Sequence, residues 1–308
     1  MDIAVALVPS LLFGALSLLL GAFPTDTRRQ NTAVMVGAGA VSLGCAALLG
    51  APWSLNATMW GAACGLMWTG GQVFVLRAFR AWGVSRTMPL TTALQLLLNA
   101  TLGVSLFGEW RAPGSLALGA GALVLIMLGA AGCSWQERAG PGPTAAQRRD
   151  GLLATAASAV LYGSYPSLLR AVHVPSAHAV GPMGLGLLAG ALLCALILPR
   201  RASLRGPRIA PALLAGGLWA IGNVLMLRST AAVGVASGFT LSQLGFVLAT
   251  VGGLTILGEK RTGRERAVVA VGIVAAVVGL VLMGTATSMD AGMSPSRQTV
   301  PGKGPEAV

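Results

Sequence analysis

Charged residues are scarce in this sequence, and acidic ones are scarcer still. Of the 308 residues, 10% are charged and only nine are Asp or Glu, whereas 55% are hydrophobic. A soluble domain of this length would need far more polar surface. Uncharged apolar runs of about 18–22 residues recur along the chain, and each can cross roughly 30 Å of hydrocarbon as a helix. The composition therefore excludes an ordinary soluble protein and predicts an all-α membrane protein.

Residue patterns typical of catalysis or metal binding are also missing. The chain has no phosphate-binding glycine loop and no cluster of His, Cys and acidic residues. Its four cysteines fall inside apolar runs without the spacing of metal ligands, so we interpret them as small apolar residues. We therefore expect no enzyme, no cofactor and no metal site.

The basic residues do not form a surface for nucleic acid. They give the chain a formal charge of +12, but 16 of the 21 Lys and Arg residues lie in or beside alternate loops between apolar runs. Short basic loops are retained on the cytoplasmic side of a membrane. We therefore predict a plasma-membrane protein with both termini outside the cytoplasm and no nucleic-acid partner. No basic segment precedes the first apolar run, which favours a membrane span there over a cleaved signal peptide.

Ten apolar segments predict ten transmembrane helices. We place them at residues 3–23, 32–50, 57–79, 86–107, 114–133, 151–171, 180–198, 210–231, 237–257 and 267–285. The longest polar break, residues 134–150, is expected to be a cytoplasmic linker between two five-helix halves, residues 1–133 and 151–286. Residues 287–308 are rich in Ser, Pro and Gly, and we expect them to form a disordered tail.

A sequence repeat relates the two halves. Residues 65–110 align with residues 217–260, and the aligned segments end around Glu109 and Glu259. Because each half has an odd number of helices, the second copy must enter the membrane upside down. The charges agree, because one basic residue follows Glu109 closely and four follow Glu259. We therefore predict two inverted repeats, which are typical of secondary transporters whose substrate binds near the midplane between the halves.

Each repeat places a tryptophan and a side-chain amide in the middle of a span. Gln72 follows Trp68 by four residues, and Asn223 follows Trp219 by four, so each ring shares a helical face with an amide. An aromatic plate beside a polar amide suits a ligand with a C–H face and a rim of hydroxyls, such as a sugar. The alternative is that the rings fill the core and the amides join neighbouring helices.

Further polar residues follow in the fourth and ninth predicted helices, where helix packing alone would also explain them. Pro89 removes a backbone hydrogen bond, so we expect irregular backbone nearby. We assign the substrate site to residues that can bind hydroxyl groups or stack on a sugar ring: Trp68, Gln72, Thr92, Gln95, Asn99, Trp219, Asn223, Ser242 and Gln243.

Two kinds of residue have a more ambiguous role. Glu109 and Glu259 end equivalent helices next to basic residues, so each is a candidate for a proton relay or gate, or for simple interfacial ion pairing. The chain has only two tyrosines, in the stretch "YGSYPS" at residues 162–167. We expect them to anchor a helix at the membrane interface, and a role in lining a cavity is the alternative.

The repeated stretches resemble a known family. The chain is similar to the bacterial glucose/ribose porters of the drug/metabolite transporter superfamily in "GLMWTGGQ", "GVSRTMPLTTALQL", "GVSLFGEW", "GLWAIGN", "GVASGFTLSQLG" and "GGLTILGEKRT". These stretches cover about a third of the chain. The resemblance implies a ten-helix sugar uptake permease that runs as a proton symporter. Asn223 and the Gly70-Gly71 pair depart from the family pattern, which leaves the particular sugar undetermined.

Three hypotheses follow. The leading one is a sugar permease in the lipid bilayer that works by alternating access, with protons as a further partner that the residues themselves leave open. An exporter of a small metabolite or drug would use the same scaffold, because the sequence displays neither direction nor ion coupling. A non-transporting membrane scaffold or sensor is the third, but it does not explain why polar midplane positions are repeated.

Overall fold

The fold is a bundle of α-helices. The computed structural model describes residues 3–50, 52–108, 110–135, 144–199, 203–204, 206, 208–233, 242–243, 245–258 and 261–293. Its helices are α1 (Ile3–Ala22), α2 (Thr27–Leu49), α3 (Leu55–Trp82), α4 (Val84–Phe107), α5 (Ser115–Ser134), α6 (Ala145–Ala171), α7 (Ser176–Ile197), α8 (Ile209–Val233), α9 (Gly245–Thr255) and α10 (Gly263–Met293). Within these described residues there is no strand, and seven helices are long and apolar enough to span a membrane. The prediction of an all-helical, multi-pass membrane protein is confirmed.

Four helices, α2, α6, α7 and α10, begin four to six residues before the positions that the apolar pattern predicted. Polar residues cap three of them, α2, α6 and α10. At α6, Thr144 Oγ1 accepts the Gln147 backbone N–H at 3.2 Å, and Gln147 Oε1 accepts the Thr144 N–H at 2.8 Å. This reciprocal capping box starts the helix in the polar layer outside the hydrocarbon. The last six residues of the predicted linker are therefore helical.

Two other expectations about the backbone are wrong. α4 continues through Pro89 without a break, because the proline is the sixth residue of the helix and removes only one internal hydrogen bond. The last helix continues to Met293, so seven residues of the predicted disordered tail are helical. Residues 294–308 lie outside the described part of the chain.

The helices of one half pack like those of the other. α2 packs against α7 and α8, while α7 packs against α2 and α3. Likewise α1 packs against α8 and α9, while α6 packs against α3 and α4. Moving each helix five places along the chain converts one set of contacts into the other. Among the other contacts, those between α5 and α10 and between α4 and α9 are converted into themselves, whereas the contact between α4 and α5 has no counterpart of similar size within the described residues.

Equivalent glycines make equivalent close approaches at these contacts. A Cβ on Gly65 would collide with the backbone carbonyl of Met183, and a Cβ on Gly216 would collide with that of Val34. These positions are related by the same shift of about 150 residues that relates the helices. Three more pairs of contacts follow this relation: Gly14–Leu248 with Gly163–Leu98, Gly37–Leu213 with Gly186–Ala62, and Gly129–Gly272 with Gly279–Ala122. Small residues therefore set the helix spacing in the same way in both halves.

Candidate functional site

A cavity of about 90 Å³ lies at the centre of the bundle, between α1, α3, α4, α6, α8 and the residues that precede α9. Its apolar and aromatic lining consists of Phe13, Leu16, Leu20, Trp68, Val75, Phe79, Met88, Tyr162, Tyr165, Trp219 and Met226. Its polar lining consists of Ser17, Gln72, Thr91, Thr92, Gln95 and Gln243. None of these described lining residues carries a formal charge at neutral pH. The cavity can therefore hold several water molecules or a neutral polar ligand.

The two repeated tryptophans meet in the wall of this cavity. The ring centroids of Trp68 and Trp219 are 4.1 Å apart, and the rings are tilted by 37°. Trp68 also stacks on Tyr162, with centroids 5.3 Å apart and an interplanar angle of 24°. Trp68 is thus the common member of both ring pairs, although Trp68 and Trp219 are almost equally buried, at 3% and 4% exposed. Because Trp68 already contacts two rings, we expect Trp219 and Tyr162 to be the better placed rings to contact a ligand.

Glycines make room for this aromatic group. A Cβ on Gly71 would lie 2.6 Å from the ring of Tyr162, and a Cβ on Gly222 would lie 2.6 Å from the ring of Phe13. Gly71 and Gly222 occupy the same place in the two repeats, three residues after their tryptophans. Gly71 of the Gly-Gly pair therefore has a steric reason.

The first amide, Gln72, is buried beside the rings with one end unpaired. The Tyr162 hydroxyl donates to Gln72 Oε1. Gln72 is 1% exposed, and its Nε2 has no hydrogen-bond partner. A buried polar group without a partner costs about 1–3 kcal/mol. Because the side chain lines the cavity, a ligand there can accept the hydrogen bonds that Nε2 has to donate.

The second amide, Asn223, has a different environment. The Tyr165 hydroxyl donates to Asn223 Oδ1 at 3.0 Å, and Asn223 Nδ2 lies 3.9 Å from the Met183 sulfur as a weak donor. Asn223 is buried, but it is not among the residues that line the cavity. Its amide therefore joins α8 to α6 and α7.

The other predicted residues divide in the same way. Thr92, Gln95 and Gln243 line the cavity, whereas Asn99 and Ser242 are not among the lining residues. Asn99 Nδ2 donates to the Gln95 carbonyl at 2.9 Å. Its Oδ1 accepts from Ser167 on α6 at 3.0 Å, so Asn99 joins two helices. Glu109 and Glu259 lie outside the described residues.

Thr91 was not among the predicted site residues, and the two tyrosines were expected at the membrane interface. Thr91 lies four residues before Gln95 on the same face of α4, and its buried hydroxyl has no hydrogen-bond partner. Tyr162 and Tyr165 were expected to anchor α6 at the interface, but both line the central cavity. Their three-residue spacing, which places both on one helical face, is the signal that could have identified them.

The cavity extends from the tryptophans toward one end of the bundle. It follows α3 from Trp68 to Phe79, about 16 Å of helix axis at 1.5 Å per residue, and it follows α1 to Leu20. Leu20 and Phe79 lie within one turn of the ends of their helices.

Charged groups surround a second cavity at the same end. This cavity, of about 410 Å³, is lined by Arg28, Arg77, Arg80, Asp26 and Asp150 together with less polar residues. Arg77 Nε donates to Asp150 Oδ2 at 2.8 Å, and a second bond joins Arg77 Nη2 to Asp150 Oδ1. This ion pair links the end of α3 to the start of α6.

Known proteins resemble this chain over nearly its whole length. A Listeria innocua protein named for sugar uptake is 35% identical over 289 residues, which cover 93% of this chain and 99% of that protein. The glucose uptake protein GlcU of Bacillus subtilis is 32% identical over 290 residues, with the same coverage of both chains.

The fold has a counterpart among solved structures. One crystal structure superposes with a TM-score of 0.60 at 22% sequence identity, covering 94% of this chain and 98% of the other. At this identity the likeness concerns the fold alone. The family described as Sugar transport protein matches residues 4–286 of the sequence. The chain is therefore a member of the Sugar transport protein family.

Proposed function

We propose that this protein is a secondary transporter that takes a sugar into the cell, with the central cavity as the binding site. The observation that carries the proposal is the pairing of an aromatic wall with unsatisfied polar groups. Trp219 and Tyr162 offer apolar ring surface, while Gln72 Nε2 and Thr91 Oγ1 are buried without partners. A sugar presents C–H faces to the rings and hydroxyl oxygens to the polar atoms. The names of the two relatives agree with this substrate class.

The matched packing of the halves supports alternating access as the mechanism. Two halves with equivalent contacts can exchange their conformations, and the exchange moves the opening from one side of the membrane to the other. The repeated glycine contacts between α2 and α8, and between α3 and α7, support such an exchange. The inverted orientation of the second half is part of this proposal.

The orientation in the membrane follows from the loop charges. The end toward which the cavity extends contains Arg28, Arg77 and Arg80, and basic loops face the cytoplasm. In this proposed orientation, the central cavity extends toward the cytoplasmic end of the bundle. Both termini face outward in this arrangement.

Each residue type has a role in the proposed site. Trp219 and Tyr162 contact the sugar ring, and Trp68 supports both of them from behind. The hydroxyl groups are bound by side chains that line the cavity, namely Gln72, Thr91, Thr92, Gln95 and Gln243. Asn223 and Asn99 hold helices together around the site.

Uptake by purified protein in lipid vesicles tests the function. Labelled pentoses and hexoses are offered with and without an imposed pH gradient, and empty vesicles serve as the background. We expect saturable uptake of at least one monosaccharide. Leu128→Ala, at a 62% exposed position on α5, is the control variant that keeps this uptake. If no monosaccharide enters above background, the proposed function is wrong.

The same vesicles test proton coupling. Glu109 and Glu259 are the candidates for a proton relay or gate. If Glu259 is the relay, Glu259→Gln abolishes accumulation against a sugar gradient but retains exchange of labelled for unlabelled sugar. Unchanged accumulation by this variant would exclude the role.

A further inference from the structure

Helix α6 holds both amides of the repeat by the same chemical group. The Tyr162 hydroxyl donates to Gln72 Oε1, and the Tyr165 hydroxyl, one turn later, donates to Asn223 Oδ1. The only two tyrosines of the chain therefore each hold the oxygen end of one repeated amide. At Asn223 the nitrogen end lies against the sulfur of Met183, whereas at Gln72 the nitrogen end has no partner.

The bond from Tyr162 determines which end of Gln72 is left for a ligand. A carboxamide has nearly the same shape when its oxygen and nitrogen are exchanged, so packing alone does not orient it. A buried phenol must place its hydroxyl proton on an acceptor, and Gln72 Oε1 is the acceptor that it meets. With the oxygen held in this way, the nitrogen and its two protons remain for the cavity.

The position of Tyr162 is itself constrained on two sides. Its ring stacks on Trp68, and it lies against Gly71, where a Cβ would be 2.6 Å away from it. Trp68, Gly71 and Gln72 belong to one stretch of α3, so that stretch both positions the tyrosine and presents the amide that the tyrosine orients. The arrangement is specific to the first repeat, because the ring against Gly222 is Phe13, which has no hydroxyl.

We infer that Tyr162 is a specificity-determining residue that turns the donor end of Gln72 toward the substrate. The site then selects an oxygen that can accept a hydrogen bond at this position, and it disfavours a substrate that lacks one there. This inference rests on the proposed sugar transport and adds to it the direction of one hydrogen bond, in which the protein donates and the substrate accepts. It distinguishes Tyr162 from a residue that only fills space.

Deoxy and deoxyfluoro analogues of the transported sugar test this polarity. A deoxy position offers no acceptor, whereas fluorine is a weak acceptor that cannot donate. For the wild-type protein in vesicles, we expect one ring position at which the deoxy analogue has a KM about tenfold above that of the parent sugar, because Nε2 then stays unpaired. At that position the KM of the fluoro analogue should lie between the KM values of the parent sugar and the deoxy analogue. For Tyr162→Phe, we expect the difference between the deoxy and fluoro analogues to become several-fold smaller, because the freed amide no longer keeps its donor end turned toward the ligand.

Ser167→Ala is the matched control. It also removes a hydroxyl of α6 that donates to an amide oxygen, at 3.0 Å from Asn99 Oδ1, but Ser167 does not line the cavity. We expect this variant to keep the wild-type order of the three sugars. If Tyr162→Phe keeps the full wild-type difference in KM between the deoxy and fluoro analogues, the inference is overturned.

A second variant decides the matter if Tyr162→Phe does not reach the membrane in folded form. Gln72→Glu retains an oxygen for Tyr162 and replaces the donor by a second acceptor. We expect it to lose the preference for the fluoro over the deoxy analogue, and a retained preference would overturn the inference. Absence of saturable uptake by the wild-type protein would instead contradict the proposed function, so the two failures are distinguishable.

Discussion

The two Trp–amide motifs are nearly identical in sequence, yet only the first leaves a polar group open to the cavity. Gln72 lines the cavity with an unpaired nitrogen, whereas Asn223 lies behind the lining with both ends of its amide in contact with protein. The glutamine is longer by one methylene, and its neighbouring ring is Tyr162. The corresponding ring near Asn223 is Phe13.

This difference shows that an internally repeated scaffold can carry an asymmetric site. The repeat determines helix packing, because equivalent glycines permit the same close contacts in both halves. The contacts with a ligand depend on single side chains, and these have diverged between the halves. We therefore expect substitution of the first amide to change transport and the equivalent substitution of the second amide to change mainly stability.

The largest effect is expected where the two motifs touch. Trp68→Ala removes the ring that contacts both Trp219 and Tyr162, so it should lower the free energy of unfolding by about 3–5 kcal/mol. Sugar uptake should fall to the background of empty vesicles. Thermal unfolding in detergent and uptake in vesicles measure the two effects, with Leu128→Ala as the control. Wild-type uptake by Trp68→Ala would contradict the proposal that the aromatic wall is needed to bind the sugar.

The sharpest comparison is between the two amides. Gln72→Ala should lower the ratio of Vmax to KM by about tenfold or more, because it removes the donor that the cavity offers to a ligand. It should also lower the free energy of unfolding by about 1–3 kcal/mol, because the Tyr162 hydroxyl loses its acceptor. Asn223→Ala should lower the free energy of unfolding by about 1–3 kcal/mol, because it leaves the buried Tyr165 hydroxyl without its acceptor. Parallel measurements of uptake kinetics and thermal unfolding check the pair. Equal effects of the two variants on the ratio of Vmax to KM and on the free energy of unfolding would contradict the proposed difference between Gln72 and Asn223.

A smaller effect is expected at the glycines beside the two rings. Gly71→Ala and Gly222→Ala each place a Cβ 2.6 Å from a ring, so both should cost about 1–3 kcal/mol in stability through overpacking. Only Gly71→Ala displaces a ring that is hydrogen-bonded to Gln72. We therefore expect a several-fold rise in KM for Gly71→Ala and a smaller one for Gly222→Ala. A larger rise in KM for Gly222→Ala would contradict the assignment of the substrate-binding amide to the first repeat.

The smallest effect is expected at the ion pair between α3 and α6. The side chains of Arg77 and Asp150 are 58% and 42% exposed, so water screens much of their attraction. A double-mutant cycle with Arg77→Ala and Asp150→Ala should give a coupling free energy of about 0.2–1 kcal/mol in thermal unfolding. A coupling well above this range would mean that the pair contributes more to the first half than its exposure suggests.

Much of the fold was predictable because it depends on local composition. Apolar length determines where a helix can cross hydrocarbon, and the pattern placed both ends of the first eight helices within six residues of those observed. The predicted ninth helix is described only from Gly245 to Thr255, and the last helix extends eight residues beyond its predicted end. The errors arose at polar caps such as Thr144 and Asp26, where helix begins outside the apolar run. Pro89 caused a different error, because we expected irregular backbone near it. A proline near the start of a helix removes only one backbone hydrogen bond, so the helix continues.

The site was predictable only in part. Six of the nine predicted site residues line the cavity: Trp68, Gln72, Thr92, Gln95, Trp219 and Gln243. Asn99, Asn223 and Ser242 have the same chemistry but lie outside the lining. Whether an amide meets a cavity or another helix depends on helix rotation, and residue type does not encode that rotation.

The amino-acid sequence by itself determined that the chain is a multi-pass helical membrane protein with a duplicated aromatic and amide motif, because hydropathy and repetition are local properties of the chain. Only the tertiary structure decided which of the two amides keeps a free end. Gln72 and Tyr162 are 90 residues apart, and their hydrogen bond exists because α3 packs against α6. Such a contact depends on how two helices meet, so neither helix reveals it alone.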